Sequence, residues 1–551
     1  MRNMISSSFP TRSKKQVSMP SSLERDPAQK ANASPVASST EAQAEILAFL
    51  ESGDAFSTHE TPRRIDTHCA SIFLTGDQAW KLKRAVRFGY LDFSTPERRR
   101  EALEAELRLN RRTAPSLYRA VRPLIRSAEG QLTIGGTGTP IDWLLEMRRF
   151  PDGALLDEQA ARGHLDQSML MGLADHIAAF HDAAEPLAAG DGAARFRSVV
   201  EGNIESMARY PDVLDPDQAG LLSRRLLGLT SELTPLLDAR GVSGRIRHAH
   251  GDLHLANIAL IDGKPTMFDC LEFSPELATI DTLYDLAFLL MDLWHRDLRT
   301  EANIVFNRYL DLSPQDEDGL ALTPLFLSVR ATIRAHVLAA QATRPGCDRS
   351  MADQARSYLD LALALLRPVQ PRLIAIGGLS GTGKSSLARA LGEGVGRAPG
   401  ARVLRNDVLR KRLAGVAPET RLARSSYSDE AARRVYDETD RLALLALRSG
   451  QSVIADGVFA QQENRCRIEG VASEAGVSFT GLWLEAPPQA RLTRVSGRGA
   501  DASDADMAVA RAQTDLEIGD LGSWRRIQVA GSIDAVVLDA RRALKLDQTD
   551  L

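Results

Sequence analysis

The stretch LIAIGGLSGTGKSSLARALGEG, residues 373–394, joins an apolar strand, a glycine-rich loop and the start of a helix. Its centre, residues 378–385, satisfies the pattern G-x-x-x-x-G-K-[ST] in the strand–loop–helix context that this pattern requires. Glycines allow successive backbone N–H groups to point inward at a helix N-terminus, where partial positive charge favours an anion. The stretch therefore predicts an α/β domain with a phosphate-binding loop.

The loop also supplies side chains for a nucleotide. Lys384 is expected to reach the β- and γ-phosphates, and the Ser385 hydroxyl to bind Mg²⁺. The alternative is a glycine-rich turn that binds nothing, but the intact Lys-Ser pair in its proper context favours binding. We therefore expect ATP and Mg²⁺ as cofactors. The other predicted nucleotide contacts belong to the same loop: Gly378, Ser380, Gly381, Thr382, Gly383 and Ser386.

Two carboxylates follow later apolar stretches. Asp407 comes after ARVLRN and Asp456 after QSVIA. Ligands of open α/β sheets bind at the carboxyl ends of the strands, so Asp407 is predicted to contact or deprotonate an acceptor hydroxyl. Asp456 is predicted to hold the water shell of the metal. Either residue could instead cap a helix, and for Asp407 the two roles are compatible.

Arginines follow a further strand that ends at Glu485. Arg491, Arg494 and Arg498 lie on a predicted helix that leads into a loop rich in Gly, Asp and Ser. Arginines on a mobile segment can neutralise charge on a phosphoryl group in transfer, so Arg494 and Arg498 are candidate catalytic residues. The alternative for each arginine is a solvated basic helix face.

Proline punctuation predicts where the domains divide. RPVQP, residues 367–371, separates a mainly helical region from the P-loop segment, in which strands alternate with helices as in a parallel sheet. Residues 1–40 carry almost no large apolar side chains and are predicted to be a disordered tail, with a helix beginning near Ala42. The predicted domains are 41–150, a small mixed lobe; 151–366, a mainly helical lobe; and 372–547, the P-loop domain.

Composition excludes several classes of protein. The chain has 551 residues, 68 basic and 72 acidic, with a net charge of −4, so no overall field favours nucleic acid. No apolar run approaches the roughly 20 residues that span a bilayer, so no membrane partner is expected. The four cysteines form no CxxC pair, which fits a reducing cytoplasm.

A second chemical motif lies in the first half of the chain. The segment HGDLHLAN, residues 250–257, places Asn257 five residues after Asp252, and Asp269 follows the apolar strand PTMF. This is the spacing of a catalytic loop followed by a metal-binding acid. Asp252 would accept or orient the acceptor hydroxyl, and Asn257 and Asp269 would hold Mg²⁺. His250 would support the loop by hydrogen bonds.

The motif HGDxxxxN with a following Asp resembles the aminoglycoside phosphotransferase and choline kinase superfamily, relatives of the protein kinases. The resemblance implies a lysine toward the α/β-phosphates on the strand WKLK. Lys81 and Lys83 share one face of that strand, so either could be the one. Glu106, or alternatively Glu104, would be its ion-pair partner. The stretch LLEM, residues 144–147, resembles the hinge that holds adenine.

The same resemblance gives structural roles to Asp281 and Asp285, which would cap a helix and anchor a loop. The chain departs from the family pattern because no G-x-G-x-x-G precedes the lysine strand, where only Gly76 stands. The P-loop half resembles the kinase group of gluconate kinase, chloramphenicol phosphotransferase and zeta-toxin-like proteins. The order of the halves is similar to that of bacterial fusions of an aminoglycoside phosphotransferase-like domain with an ATP-binding domain.

The predicted fold is therefore an α+β, protein-kinase-like two-lobed domain followed by an α/β P-loop domain with a parallel sheet. The leading hypothesis is a cytoplasmic bifunctional phosphotransferase with two Mg-ATP sites, acting on hydroxyl groups of small molecules. One alternative is a P-loop ATPase or kinase fused to a catalytically idle kinase-like ligand-binding module. Another is a toxin-like kinase of nucleotide-sugars. The acceptors and the oligomeric state are left open.

Overall fold

The chain divides into two compact units in a computed structural model. Unit 1 takes in the described residues up to Leu165, then Phe180–Phe288 and Ala331–Asp360. Unit 2 takes in Asp166–Ala179, Leu289–Arg330 and the described residues from Leu361 onward. The structure describes residues 37–56, 60–67, 69–88, 91–187, 190–344, 346, 348–497 and 502–545.

The first part of the chain begins with a helix, continues through short strands and then becomes mainly helical. Its elements are α1 (Ala37–Ser52), β1 (Arg63–Asp66), β2 (Ala70–Thr75), β3 (Gln78–Lys83), β4 (Arg87–Phe88), β5 (Leu91–Asp92), α2 (Pro96–Asn110), β6 (Tyr118–Arg126), β7 (Leu132–Ile134), β8 (Thr139–Arg148), α3 (Leu156–Ala161), α4 (Gln167–Ala183), α5 (Gly192–Met207), α6 (Pro216–Glu232), α7 (Thr234–Val242), β9 (Ile246–His248), β10 (Ile258–Ile261), β11 (Lys264–Met267), α8 (Pro275–Ala278), β12 (Thr279–Asp281), α9 (Thr282–His295), α10 (Arg299–Leu312), α11 (Thr323–Ala342) and α12 (Ser350–Leu365).

An antiparallel sheet in the order β1-β2-β3-β8-β6-β7 organises the start of unit 1. The predicted hairpin is present, because β2 and β3 pair from Thr75↔Gln78 outward across the turn at Gly76. Helix α2 follows with a proline in its first turn, and the side chain of Thr95 caps it by accepting from the Arg98 amide. The six strands and this helix bring the WKLK strand and Glu106 into one unit.

Two expectations about this region need correction. Helix α1 begins at Ala37 rather than near Ala42, so residues 37–40 of the predicted tail are helical. The rest of that prediction, residues 1–36, lies outside the described residues. The stretch 144–147 lies inside β8, which pairs with β3 on one side and with β6 on the other. Its backbone groups are therefore engaged in the sheet, and it cannot be the adenine-binding hinge.

The last part of the chain alternates strands with helices. Its elements are β13 (Arg372–Gly378), α13 (Lys384–Gly392), β14 (Arg402–Arg405), α14 (Asn406–Leu413), α15 (Asp429–Arg448), β15 (Val453–Asp456), α16 (Gln462–Ala475), β16 (Ser478–Glu485), α17 (Pro488–Ser496), α18 (Met507–Ala512), β17 (Arg525–Gln528) and α19 (Ile533–Leu544).

The predicted parallel sheet is present in unit 2. Its five strands lie in the order β14-β15-β13-β16-β17, and all the neighbouring pairs are parallel. Strand β13 is central and almost completely buried, which explains its continuous apolar sequence. The carboxyl ends of β13, β14 and β15 therefore meet at one edge of the sheet.

Unit 2 also contains helix α10, which precedes the P-loop segment in sequence. Arg402 at the start of β14 is fully buried, and its guanidinium contacts Glu317 and Asp311, each at 2.8 Å. Asn303 of α10 donates to the carbonyls of Pro399 and Ala401. The compact unit is thus larger than the predicted domain of 372–547, because buried polar side chains before the linker complete it. None of the helices in the described part of the chain has the length and apolar character needed to cross a membrane.

Candidate functional sites

The phosphate-binding loop lies between β13 and α13, as the motif predicts. Gly381 has φ +84, and a Cβ there would lie 2.5 Å from the Arg491 carbonyl oxygen, so only glycine fits. The Ser380 amide donates to Gln513 Oε1 at 2.7 Å. Arg491 donates to the Ser380 carbonyl at 3.0 Å, which ties helix α17 to the loop.

The side chains expected to hold a metal meet at the end of the loop. Ser385 Oγ donates to Asp456 Oδ2 at 2.5 Å. Lys384 Nζ donates to the Leu379 carbonyl oxygen at 3.2 Å, across the loop. A hydroxyl and a carboxylate are oxygen ligands of the kind that Mg²⁺ takes, so this donor set fits the predicted ion.

Asp407 lies in the same cavity as Lys384 and Asp456. It is the second residue of α14, whose N-cap is Arg405, so it does not cap the helix. Burial and the negative charge of Asp456 raise the pKa of Asp407 above its ordinary value. A carboxyl group with a raised pKa beside a phosphate-binding loop is suited to accept a proton.

The predicted arginines differ in their placement. Arg494 Nη1 reaches the Gly381 carbonyl only at 3.5 Å, beside the loop. Arg491 is buried and donates to backbone carbonyls, so it braces the loop rather than facing a phosphate. Arg498 lies outside the described residues.

A cavity of about 1400 Å³ opens beside the loop, and all the residues that line it belong to unit 2. Sequence reasoning missed several of them. Gln513 belongs to no motif, although it binds the loop. Asp504 accepts a hydrogen bond from the Leu422 amide at 3.0 Å and contacts Lys411 and Tyr427. Only the fold brings these residues to the cavity, so no local pattern could have identified them.

A second set of charged side chains lies in unit 1. Lys81 Nζ is 2.5 Å from Glu106 Oε1 and 3.2 Å from Asp269 Oδ1. Burial alone would lower the pKa of Lys81, but the carboxylates of Asp269 and Glu106 outweigh this effect and raise it. Glu104 instead pairs with Arg100 at the surface. The geometry therefore selects Glu106 as the lysine partner.

Lys83 is buried in the same network but contacts different acids. Its Nζ lies 2.7 Å from Glu106 Oε2 and 2.5 Å from Glu272 Oε1. The Lys83 side chain is fully buried, and the Glu272 side chain is 2% exposed. Only Lys81 adjoins Asp269, so Lys81 is the lysine placed beside the predicted metal-binding acid. No sequence motif singles out Glu272.

The loop of residues 250–257 is held as the sequence predicts. Asn257 Nδ2 donates to Asp252 Oδ2 at 2.9 Å. His250 Nε2 lies 3.0 Å from the Phe268 carbonyl, so it supports the loop. Asp285 accepts from the amides of His250 and Gly251 at 3.0 and 2.9 Å, which is the anchoring role expected of it.

The Asp252 carboxylate has a neighbour that the sequence left without a role. His254 Nε2 lies 3.4 Å from Asp252 Oδ2. Burial alone would raise the pKa of Asp252, but His254 and His250 outweigh it and lower the pKa. Asp252 is therefore held as a carboxylate that can orient a hydroxyl group.

A buried oxygen near this carboxylate lacks a partner. Within the described part of the chain, no hydrogen-bond donor reaches Asn257 Oδ1. A buried carboxamide oxygen without a donor is costly unless something else satisfies it. Mg²⁺ takes such an oxygen as a ligand, so the residues fit the metal that the motif predicts.

Comparisons with known proteins agree with the P-loop class defined by this fold and site. The AAA domain family matches residues 373–516. "Uncharacterized protein Rv2004c" of Mycobacterium tuberculosis is 30% identical over 474 residues, which cover 85% of this chain and 92% of that protein. The chain belongs to the same family as this mycobacterial protein.

Two further proteins are similar over part of the chain. An adenylyl-sulfate kinase of Myxococcus xanthus is 32% identical over 117 residues, 21% of this chain and 59% of that protein. The solved structure of the amicoumacin kinase hAmiN in complex with AMP-PNP, Ca²⁺ and Ami is 14% identical and covers 58% of this chain and 95% of its own, with a TM-score of 0.38.

Proposed function

We propose that unit 2 is an ATP-dependent phosphotransferase that acts on a hydroxyl group of a small molecule. The observation that carries this proposal is the contact of 2.5 Å between Ser385 Oγ and Asp456 Oδ2 at the end of the phosphate-binding loop. Asp407 in the same cavity supplies a proton acceptor that nucleotide binding alone does not need. The relation to an adenylyl-sulfate kinase supports transfer to an acceptor rather than simple hydrolysis.

Each residue has a role in the transfer. The loop amides and Lys384 bind the phosphates, and Ser385 and Asp456 hold Mg²⁺ and its water. The ion, when bound, neutralises charge on the phosphate oxygens. The acceptor oxygen attacks the γ-phosphorus, the bond to the bridging oxygen of ADP breaks, and Asp407 takes the hydroxyl proton. Arg494 neutralises charge on the moving group.

We propose a second Mg-ATP site in unit 1, with a protein-kinase-like arrangement. Lys81 would bind the α/β-phosphates, Asn257 and Asp269 would hold Mg²⁺, and Asp252 would orient the acceptor hydroxyl. Asn257 Oδ1, which no donor reaches among the described residues, and the ion pair of Lys81 with Glu106 support this proposal. The chain would then be bifunctional, with small hydroxylated molecules as acceptors at both sites.

One observation favours an alternative for unit 1. The tight turn at Gly76 between β2 and β3 leaves no glycine-rich loop there to cover phosphates. Unit 1 would then bind a ligand without transferring phosphate. The pairing of Lys81 and the ionised state of Asp252 favour the catalytic function instead.

Release of ADP by the full chain tests both sites. The assay compares wild type, K384M, D252N and the double variant, with ATP, Mg²⁺ and a panel of sugars, sugar acids, adenylyl sulfate and aminoglycosides. We expect each single variant to lose turnover of a different set of acceptors, and the double variant to lose all of it. If D252N loses no acceptor, unit 1 is the idle module; if K384M loses none, the function proposed for unit 2 is wrong.

A further inference from the structure

One face of helix α4 lines the cavity of the P-loop site, although this helix lies far before the loop in sequence. The lining positions are spaced so that they share one side of a helix. They are Gln167, Ser168, Met171, Gly172 and Asp175. The family match begins only at residue 373, so this wall lies outside the part of the chain that matches the AAA domain family.

The α4 residues and Asp407 line the same cavity. Arg308 of α10 donates to both oxygens of Asp175, at 2.5 and 2.9 Å, and to Glu419 Oε1 at 2.7 Å. Glu419 follows α14, the helix that carries Asp407. The start of the phosphate-binding loop is tied instead to Gln513. Arg308 thus joins the α4 wall to the segment that presents the proposed base.

The cavity is larger than one nucleotide needs. Sites for small molecules commonly measure roughly 300–1,000 Å³. The cavity beside the loop measures about 1400 Å³. A nucleotide at the loop therefore leaves room for a second molecule between Asp407 and the α4 wall.

The chemistry of the wall suggests what this molecule is. Gln167 and Ser168 offer neutral donors and acceptors. Asp175 and Glu419 share the single guanidinium of Arg308, so this group of three keeps one net negative charge, which disfavours an anionic acceptor. Each carboxylate keeps lone pairs that can accept from hydroxyl groups. The geometry points to an uncharged polyhydroxylated acceptor, of sugar or sugar-alcohol type, whose size is limited at Gly172. This inference rests on the function proposed for unit 2.

Gly172 allows the wall to be tested without disturbing the packing. Nothing lies within 4 Å of a Cβ built at this residue, and its backbone is helical. A side chain there would extend into open space, and replacing a glycine inside a helix favours the helix. Gly228 of α6 is a matched control, since it is also helical, has no neighbour within 4 Å of a Cβ and does not line the cavity.

The experiment uses the full chain carrying D252N, so that ADP release reports the P-loop site. Hexoses and sugar alcohols are the probes. We expect G172F to lower kcat/KM for these sugars by at least about tenfold, mainly through KM, and G172A to have a smaller effect. Binding of AMP-PNP should stay within about twofold of the parent, and G228F should behave like the parent.

The outcomes separate this inference from the proposed function. If G172F turns over sugars like its parent while K384M remains inactive, the α4 wall does not bind the acceptor. The function proposed for unit 2 would still stand. If turnover is confined to charged acceptors such as sugar acids or adenylyl sulfate, the inference that the acceptor is uncharged is wrong. If K384M abolishes none of the ADP release, the function proposed for unit 2 is wrong. The further inference then fails as well.

Discussion

Replacing Arg402 with leucine should destabilise unit 2 severely. The Arg402 side chain is fully buried, and its partners Glu317 and Asp311 have side chains that are 3% and 14% exposed. R402L would leave two carboxylates with little access to water. Arg412 Nη1 would still lie 3.5 Å from Glu317 Oε1, but Asp311 would lose its ion pair of 2.8 Å. Loss of one partner of a buried ion pair costs about 3–5 kcal/mol, so the free energy of unfolding of unit 2 should fall by about that amount.

Amide hydrogen exchange followed by mass spectrometry measures this loss within unit 2. Peptides from β13 and β15 should exchange faster by about two to three and a half orders of magnitude, since about 1.4 kcal/mol corresponds to a factor of ten. The control is R448L, which removes an ion pair between side chains that are 59% and 57% exposed. Such a surface pair contributes about 0–1 kcal/mol.

Amide exchange in R402L that is no faster than in R448L would contradict this expected loss of stability. It would mean that the buried carboxylates find water or protons at little cost. The same network implies that residues 370–551 expressed alone lack the partners of Arg402, because both lie before the linker.

Three further changes have expected outcomes. D407N should abolish turnover at the P-loop site yet raise the stability of the protein at neutral pH, as measured by thermal unfolding. Because the pKa of Asp407 is raised, the folded state keeps this proton at pH values where the unfolded state has lost it. The free energy of unfolding therefore falls as pH rises above about 3.8, the ordinary pKa of the group. D407N should remove this loss, so its gain in stability should appear above that pH. K83M should destabilise unit 1 by about 3–5 kcal/mol in urea unfolding, and K83M/E272Q should recover much of that loss, because the double variant removes the unpaired buried charge. N257A should raise the Mg²⁺ concentration needed for half-maximal D252-dependent turnover by at least about tenfold.

Each of these expectations can be contradicted. A D407N protein that is less stable than wild type at pH 7 would show that the folded structure stabilises the Asp407 carboxylate rather than destabilising it. Equal free energies of unfolding for K83M and K83M/E272Q would show that the unpaired charge of Glu272 does not cause the loss of stability in K83M. An unchanged Mg²⁺ requirement in N257A would remove Asn257 from the metal site.

Local sequence predicted where side chains lie when a short stretch determines their position. The phosphate-binding loop, Asp456 at the end of β15, and the loop with Asp252 and Asn257 are examples, since strand ends and fixed spacings determine where these side chains lie. The pairing of Lys81 with Glu106 followed from the family resemblance. Period-2 geometry could not choose between Lys81 and Lys83, and both in fact bind Glu106.

Features made by residues distant in sequence were not predictable. The α4 wall, Gln513 at the loop and the partners of Arg402 depend on which segments the fold brings together. The hinge expectation for residues 144–147 came from the family resemblance and was wrong, because these residues lie inside a strand of the sheet. Only the pairing of β8 with both neighbours reveals this.

We propose that this polypeptide holds two separate sites for a nucleotide with Mg²⁺. Isothermal titration of the full chain with AMP-PNP and Mg²⁺ measures the number of sites directly. We predict two bound nucleotides for wild type and one for K384M. If wild type binds a single nucleotide and K384M binds none, unit 1 has no nucleotide site, and the proposal of two sites is wrong.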